Sequence, residues 1–179
     1  MITLKSKREI ELLAVAGNIV YQTHKYLQPY IKEGIKTIEL DKLAEDFIRS
    51  KDATPSFKGY EGFPYTLCIS LNSEVVHGFP SDYVLKNGDI VPIDIGACYK
   101  GYHGDSAWTY KVGEVDKEKE FLLEHTEKSL FIGLLLGSIY VLAISNLKNN
   151  MNNKSNTSKY ISFFICFFIH IHNSHSLSN

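Results

Sequence analysis

Two strand-like segments separated by a Lys-Gly pair constrain the fold of this chain more than any other feature. Ile90–Tyr99 and Tyr102–Val112 are rich in isoleucine, valine, tyrosine, tryptophan and threonine, which favour strands. Lys100 and Gly101 lie between the two segments, and two residues are enough for a tight turn. The pattern therefore predicts an antiparallel β-hairpin.

The predicted hairpin carries one aspartate on each strand, Asp94 and Asp105. If the residues flanking the turn face each other, Asp94 lies opposite Ala107. Asp105 is then the diagonal neighbour of Asp94 on the same face, about 7 to 8 Å away at Cα. Two facing carboxylates repel each other and raise a pKa unless a cation lies between them. The spacing therefore indicates a divalent metal site, although aspartates beside glycines also occur in turns, where they bond to local N–H groups.

Five short motifs occur in a fixed order along the chain. They are Gly59-Tyr60-Glu61-Gly62-Phe63-Pro64, Cys68-Ile69-Ser70-Leu71-Asn72, Val75-Val76-His77-Gly78-Phe79-Pro80, Asn87-Gly88-Asp89-Ile90-Val91 running into Ile93-Asp94-Ile95-Gly96, and Gly104-Asp105. Over residues 1 to about 134 this order resembles the N-terminal half of the type I methionine aminopeptidases, of peptidase family M24. The spacing from Cys68 to His77 favours this branch over the related proline-specific peptidases.

The resemblance implies a role for each candidate site residue. Asp94 and Asp105 match metal ligands, and His77 matches a catalytic histidine that binds the substrate at the scissile end. Three residues match the lining of the pocket for the methionine side chain: Tyr60, Phe63 and Cys68. Aromatic and sulfur groups suit a soft thioether. Taken one by one, these residues would instead favour a loop histidine bonded to backbone for His77, ordinary core packing for Tyr60 and Phe63, and a small buried apolar residue for Cys68.

The same resemblance implies the fold and the activity. The expected fold is α+β, the first half of a pita-bread fold with an antiparallel sheet covered by helices. The implied enzyme is a cytoplasmic, monomeric hydrolase that removes the N-terminal methionine from newly synthesised proteins. It would use two divalent ions (Co, Mn, Fe or Zn) and meet its methionyl peptides near the ribosome. The family's second half supplies a histidine ligand and two glutamate ligands, so the site in this chain is expected to be incomplete and its activity doubtful.

Two amphipathic segments precede the hairpin. Ser6 and Glu9 form a capping-box pattern at the start of the first, and Thr37 to about Ser50 makes up the second. Apolar residues recur at helical spacing in both: Ile10, Leu13, Ala16, Val20 and Leu27, then Leu40, Leu43, Ala44, Phe47 and Ile48. A short apolar strand is predicted near Leu67 to Leu71. We expect both helices to pack on the sheet.

The composition changes abruptly at Glu127. All 20 acidic residues lie at or before it, and the chain beyond is rich in asparagine, serine, isoleucine and phenylalanine. We therefore expect an aminopeptidase-like half-domain over residues 1–134. A divergent tail, non-native or disordered, is expected over residues 135–179.

Three further features of the tail carry alternatives. Residues 129–146 are uncharged and near the lower length limit for crossing a bilayer, so a membrane anchor is one alternative function. A non-catalytic peptide-binding relic of the fold is another. Residues 148–159 read as a solvated or disordered linker. His170, His172 and His175 lack the acidic framework of a metal cluster, and we do not expect one there.

Charge and cysteine content exclude other classes of partner and compartment. The net charge of −1 gives no electrostatic case for nucleic acid or an acidic membrane surface. The three cysteines, Cys68, Cys98 and Cys166, form no Cys-x-x-Cys pair, which argues against a disulfide framework and fits a reducing cytoplasm.

Overall fold

The computed structural model describes the backbone of residues 4–151 and the side chains of residues 4–142. The chain divides into two compact units, Met1–Glu120 and Phe121–Asn179. The helices are α1 (Lys7–Leu27), α2 (Thr37–Arg49) and α3 (Lys117–Met151), and the strands are β1 (Thr54–Pro55), β2 (Leu67–Ile69), β3 (Ile90–Tyr99) and β4 (Tyr102–Lys111). Two 3₁₀ turns occupy Gln28–Tyr30 and Tyr60–Gly62. The predicted α+β class is confirmed.

Helix α1 begins at the predicted capping box. The Ser6 N–H donates to the Glu9 carboxylate at 2.7 Å, and the Glu9 N–H donates to the Ser6 hydroxyl at 3.3 Å. These bonds satisfy N–H groups that have no partner within the helix. Of the predicted stripe, Ala16, Val20 and Leu27 are fully buried.

Helix α2 presents its apolar face to the same core. Leu40, Ala44 and Ile48 have no exposed surface, whereas Leu43 and Phe47 are partly buried. The helix ends one residue before the predicted boundary, and Asp52 follows it with a positive φ of 55°.

Strand β3 is the centre of the sheet. β4 pairs with it along its whole length, and β2 and β1 pair with successive parts of its other edge, all antiparallel. Tyr99 faces Tyr102 across the turn, as predicted. Lys100 and Gly101 both have positive φ, 50° and 83°, which is the requirement of a type I′ hairpin.

Strand β3 contains a proline, Pro92, which lies where the pairing with β2 ends. Ile69, the last residue of β2, pairs with Ile93, and the next N–H, that of Ser70, donates to the Pro92 carbonyl at 3.1 Å. The nitrogen of Pro92 faces the same side of the strand. Because proline has no N–H, it cannot donate the second hydrogen bond that such a residue pair normally makes. The missing bond therefore falls just beyond the paired segment, as expected for proline in a sheet.

The two faces of the sheet have different surroundings. Val91, Ile93, Ile95 and Ala97 are fully buried and belong to one core cluster with residues of α1 and α2. Helix α1 lies so close to β4 that a Cβ on Gly104 would lie 2.5 Å from the backbone nitrogen of a residue in α1. The other face carries the alternate residues of β3 and is more open.

Asp116 precedes helix α3, and its carboxylate accepts the Lys119 N–H at 2.9 Å. The helix continues through Leu134 to Met151, so the expected boundary at 134 falls inside it and remains a prediction. In the second unit, Phe121 stacks on His125 with ring centroids 3.7 Å apart.

Two predictions for the tail, a membrane anchor and a linker, can be compared with the structure over the described residues. Among residues 4–151, no helix is both long and apolar enough to cross a membrane. Residues 148–151 are helical where we expected a linker. The rest of that stretch and the three C-terminal histidines, His170, His172 and His175, lie outside the described residues.

Candidate metal centre

The open face of the sheet brings three predicted site residues together. Cys68 on β2 pairs with Asp94 on β3, which pairs in turn with Ala107 on β4. Asp105 lies opposite Gly96, two residues from Asp94 on the same side of β3. Because residues in register share a face, Cys68, Asp94 and Asp105 all project away from the helices.

The electrostatics of Asp94 are those of a carboxylate near a like charge. Burial, followed by the charge of Asp105, raises the pKa of Asp94 to about 6. Its Oδ1 atom is buried and has no hydrogen-bond partner among the described residues. Buried polar atoms normally have such partners, so this oxygen is available to a cation.

Cys68 lies beside the two aspartates as a buried, protonated thiol. Its side chain is buried, and the thiol pKa is raised to about 11 by burial first and then by the charges of Asp94 and Asp105. The thiol is therefore neutral at pH 7 and acts as a small polarisable surface, not as a nucleophile.

Asp41 holds the start of β2 in place, a role that sequence reasoning missed. It is 5% exposed, and its Oδ1 accepts the N–H groups of Thr66 and Leu67 at 2.9 and 2.8 Å. Burial raises the pKa of Asp41 despite these bonds. The signal available in the sequence was an acidic residue inside the apolar stripe of α2, between Leu40 and Ala44.

The loop that carries His77 is fastened to β2 by the glycine after it. The Ile69 N–H donates to the Gly78 carbonyl at 2.9 Å, and the Gly78 N–H donates to the Ser70 hydroxyl at 3.2 Å. A Cβ on Gly78 would overlap the Ile69 carbonyl and lie 2.8 Å from the Ser70 Cα. Only glycine permits this approach.

His77 itself is exposed and has a positive φ of 59°. An electrostatic interaction with His77 slightly opposes the rise in the pKa of Asp94. The loop therefore brings the histidine near Asp94.

The predicted methionine-pocket residues are in different surroundings. Phe63 meets Phe79 edge-on with centroids 5.2 Å apart, and Tyr65 joins both at 6.1 and 5.5 Å. Tyr60 is 68% exposed on its 3₁₀ turn. Phe63 thus belongs to an aromatic cluster next to the His77 loop, whereas the Tyr60 ring lies largely in solvent. Tyr65 is a member of this cluster that the motifs did not single out.

Gly96, which lies opposite Asp105, leaves room for the side chains of Ser56 and Phe57 to pack against β3. A Cβ there would lie 2.6 Å from the Phe57 ring and 2.8 Å from the Ser56 Cβ. The Ser56 hydroxyl reaches His103 Nδ1 at 2.9 Å. His103 is two residues before Asp105 on β4 and shares its face, so the serine connects β1 to the strand that carries Asp105.

The residues present fit a divalent cation in part. Carboxylate oxygens are the donors that hard divalent ions prefer, and the unpartnered Oδ1 of Asp94 is such a donor. Within the part of the chain that the structure describes, no group of three or more His, Cys, Asp or Glu side chains is placed to hold a metal. The described residues thus offer two carboxylates and no complete metal site.

The antiparallel sheet carries a pair of carboxylates on its open face, and sequence comparison shows the family to which this chain belongs. The model of metallopeptidase family M24 matches residues 11–171, and the chain belongs to this family. It is 54% identical to methionine aminopeptidase 1 of Bacillus subtilis over 134 residues, which are 75% of this chain and 54% of that protein. It is 51% identical to methionine aminopeptidase of Clostridium perfringens, with the same coverage. The chain spans about half the length of these relatives.

Solved structures agree with this assignment. Methionine aminopeptidase from Rickettsia prowazekii matches with a TM-score of 0.73 and 34% identity, over 75% of this chain and 54% of that one. The prolidase from Pyrococcus furiosus matches with a TM-score of 0.60 and 27% identity, over 68% of this chain and 34% of that one. The expected first half of a pita-bread fold is therefore confirmed, and the family implies the use of divalent metal.

Proposed function

We propose that this chain carries the first half of a methionine aminopeptidase site, which removes the N-terminal methionine from newly synthesised proteins. The observation that carries the proposal is the buried Oδ1 of Asp94, which has no hydrogen-bond partner among residues 4–142 and lies beside Asp105 on the open face of the sheet. The identity of the relatives supports the choice of methionyl substrates.

Asp94 and Asp105 would hold the metal ions. Two divalent ions, when bound, make a water nucleophilic at neutral pH and polarise a peptide carbonyl. The ionised forms of both carboxylates are required for this, and a nearby cation would return the pKa of Asp94 towards its ordinary value.

His77 would bind the substrate at the scissile peptide bond. Its exposure and its proximity to Asp94 leave the imidazole able to donate a hydrogen bond to a substrate oxygen. The N–H is a donor that strengthens as negative charge develops on that oxygen, so His77 would contribute to catalysis as well as to binding.

Cys68, Phe63 and Tyr60 would line the pocket for the methionine side chain. Cys68 is neutral and buried beside Asp94, and Phe63 packs in the aromatic cluster next to the His77 loop. Tyr60 would close over the substrate from its exposed position. Sulfur and aromatic surfaces suit a thioether.

The native ion would be Co, Mn, Fe or Zn, since all of these accept carboxylate and imidazole ligands. The substrates would be nascent chains met near the ribosome in the cytoplasm, bound by a monomer. Two carboxylates alone bind such ions weakly, so we expect low metal affinity and little or no methionine release from this 179-residue chain by itself.

Metal titration tests the site. We expect calorimetry with Mn²⁺ to give weak binding that Asp94→Asn and Asp105→Asn each abolish. Asp52→Asn, a matched change at an exposed residue on another loop, should bind as the unaltered chain does. Equal Mn²⁺ binding by all four proteins would refute the assignment. Metal-dependent release of methionine from Met-Ala-Ser by this chain would refute the expectation of inactivity.

A non-catalytic peptide-binding module is the second candidate function. Apolar side chains around His77 are unusually exposed: Val75 86%, Val76 67% and Phe79 59%. Such a group of exposed apolar side chains is typical of an interaction site. Binding of Met-Ala-Ser by the metal-free chain, unchanged in Asp94→Asn, would favour this candidate over the enzyme.

A further inference from the structure

Asp89 is a buried carboxylate that the proposed reaction does not use. It lies just before β3, is 6% exposed, and accepts hydrogen bonds from three residues. The Asn72 amide donates to Oδ1 at 2.9 Å, the Lys86 N–H to Oδ2 at 2.9 Å and the Tyr83 hydroxyl to Oδ2 at 3.1 Å.

These donors come from both ends of one segment, residues 72–86. Asn72 follows β2 at the start of the segment, whereas Tyr83 and Lys86 lie at its end. His77 lies between the two ends. One carboxylate therefore fastens both ends of the loop that carries the histidine to the start of β3.

Asn72 attaches the start of the loop to β3 through two further hydrogen bonds, both to Ile90. Its side-chain Oδ1 accepts the Ile90 N–H at 3.2 Å, and its own N–H donates to the Ile90 carbonyl at 3.1 Å. Asn72 has a positive φ of 51°, a conformation that asparagine tolerates better than most residues. The chain thus turns away from β3 at a residue held by three separate hydrogen bonds.

The attachment is charge-assisted. Burial raises the pKa of Asp89, but the hydrogen bonds from Asn72, the Lys86 backbone and Tyr83 outweigh it and leave this pKa below its ordinary value. Asp89 is therefore ionised at neutral pH. Hydrogen bonds to an ionised acceptor are about twice as strong as neutral ones.

His77 needs such support because its backbone is in an unfavourable conformation. A non-glycine residue at a φ of 59° persists when its surroundings fix it. We propose that Asp89 is a positioning residue that holds the 72–86 loop, and with it the His77 imidazole, against the carboxylate face. This inference rests on the proposed function of His77.

Native-state hydrogen exchange tests the positioning without substrate or metal. In Asp89→Asn, which keeps the shape of the side chain, we expect the Gly78 amide to exchange about tenfold faster relative to the core amides of Ile93 and Ile95. Asp52→Asn is the matched control and should leave this ratio unchanged. Parallel acceleration of loop and core amides, or no change at Gly78, would overturn the inference.

Two further variants keep the test decisive if Asp89→Asn does not fold. Asn72→Ala and Tyr83→Phe each remove one donor to Asp89, from opposite ends of the loop, and both should accelerate exchange at Gly78 more than in the core. An effect confined to one of them would contradict a clamp on both ends.

A separate readout links the loop to substrate. Addition of Met-Ala-Ser should shift the His77 ring signal in the NMR spectrum of the unaltered chain, and the shift should be at least halved in Asn72→Ala at equal peptide concentration. Absence of a shift in the unaltered chain would count against the proposed function while leaving the exchange result standing. An equal shift in both proteins, with the loop loosened, would overturn the positioning role.

Discussion

Asp105 lies diagonally across the β3–β4 hairpin from Asp94, opposite Gly96. The Phe57 ring packs against this glycine. Asp94 and Asp105 lie on the same open side of the sheet, where their negative charges repel each other. This geometry favours a bound cation and makes the metal-free protein pH-sensitive.

Neutralising Asp94 should stabilise the metal-free protein. Its folded pKa of about 6 lies above the ordinary 3.8, so its contribution to stability is present below pH 4 and is lost as the pH rises through 6. At pH 7 in EDTA, we expect Asp94→Asn to raise the free energy of unfolding by about 1 kcal/mol, after allowance for solvent screening. Urea denaturation followed by circular dichroism measures the difference.

The matched controls separate charge repulsion from shape. Asp105→Asn should also stabilise the protein at pH 7, because it removes the other member of the pair, whereas Asp52→Asn should have little effect. Near pH 4 the benefit of Asp94→Asn should disappear. A destabilising effect of both site variants at pH 7 would mean that the carboxylates do not repel each other in the folded state.

Local patterns predicted the hairpin and its register because a two-residue turn fixes which residues face each other. The capping box and the apolar stripes were equally local signals, and α1 and α2 lie where these patterns place them. The role of Asp41 escaped prediction because its partners are distant in sequence: it accepts N–H groups from Thr66 and Leu67. The role of Asp89 escaped prediction because its bond from Asn72 joins residues 17 positions apart. The assignment of His77 depended on a motif, since a lone loop histidine has no periodicity to mark it.

The contact between α1 and β4 gives a matched pair of glycine variants. A Cβ on Gly104 would lie 2.5 Å from the Gly17 nitrogen and 2.6 Å from the Ala16 carbonyl carbon, so Gly104→Ala must push the helix from the sheet. We expect a loss of about 2 kcal/mol or more in the free energy of unfolding. A Cβ on Gly17 meets no atom of the described part of the chain within 4 Å, and Gly17→Ala should stabilise α1 by about 0.5 to 1 kcal/mol. Thermal unfolding of both variants would show opposite shifts, and shifts of the same sign would contradict the packing.

The thiol of Cys68 should resist alkylation in the folded protein. With a pKa of about 11, only about one thiol in a thousand is ionised at pH 8, compared with roughly a quarter for an ordinary cysteine. In a chain that carries Cys98→Ser and Cys166→Ser, iodoacetamide should react at least a hundredfold faster in urea than in buffer. Asp105→Asn in the same background should speed the reaction in buffer, because one of the charges that raise this pKa is removed. If the Cys68 thiol reacted equally fast in the folded and in the unfolded chain, Cys68 would not be buried beside the aspartates.

The buried histidine between α1 and β4 should make the fold sensitive to mild acid. His24 is 6% exposed, and its Nε2 lies 3.0 Å from the Ser106 carbonyl, which can only accept, so Nε2 carries the proton. Nδ1 then accepts from the Tyr110 hydroxyl at 3.0 Å, and both ring nitrogens are satisfied in the neutral form. Burial lowers the pKa of His24 to about 4 from its ordinary 6.5, although the Ser106 bond opposes this.

The sign of the resulting pH dependence follows from the depressed pKa. The unfolded chain binds a proton at pH 6.5 and the folded chain only near pH 4, so the contribution of His24 is complete above pH 6.5 and is lost as the pH falls towards 4. Between pH 7 and 5 we expect the unaltered chain to lose about 2 kcal/mol more unfolding free energy than His24→Gln. His103→Gln, at an exposed histidine, should keep the steeper dependence. Urea titrations at the two pH values compare the three proteins, and equal slopes for all three would show that His24 binds its proton as readily folded as unfolded.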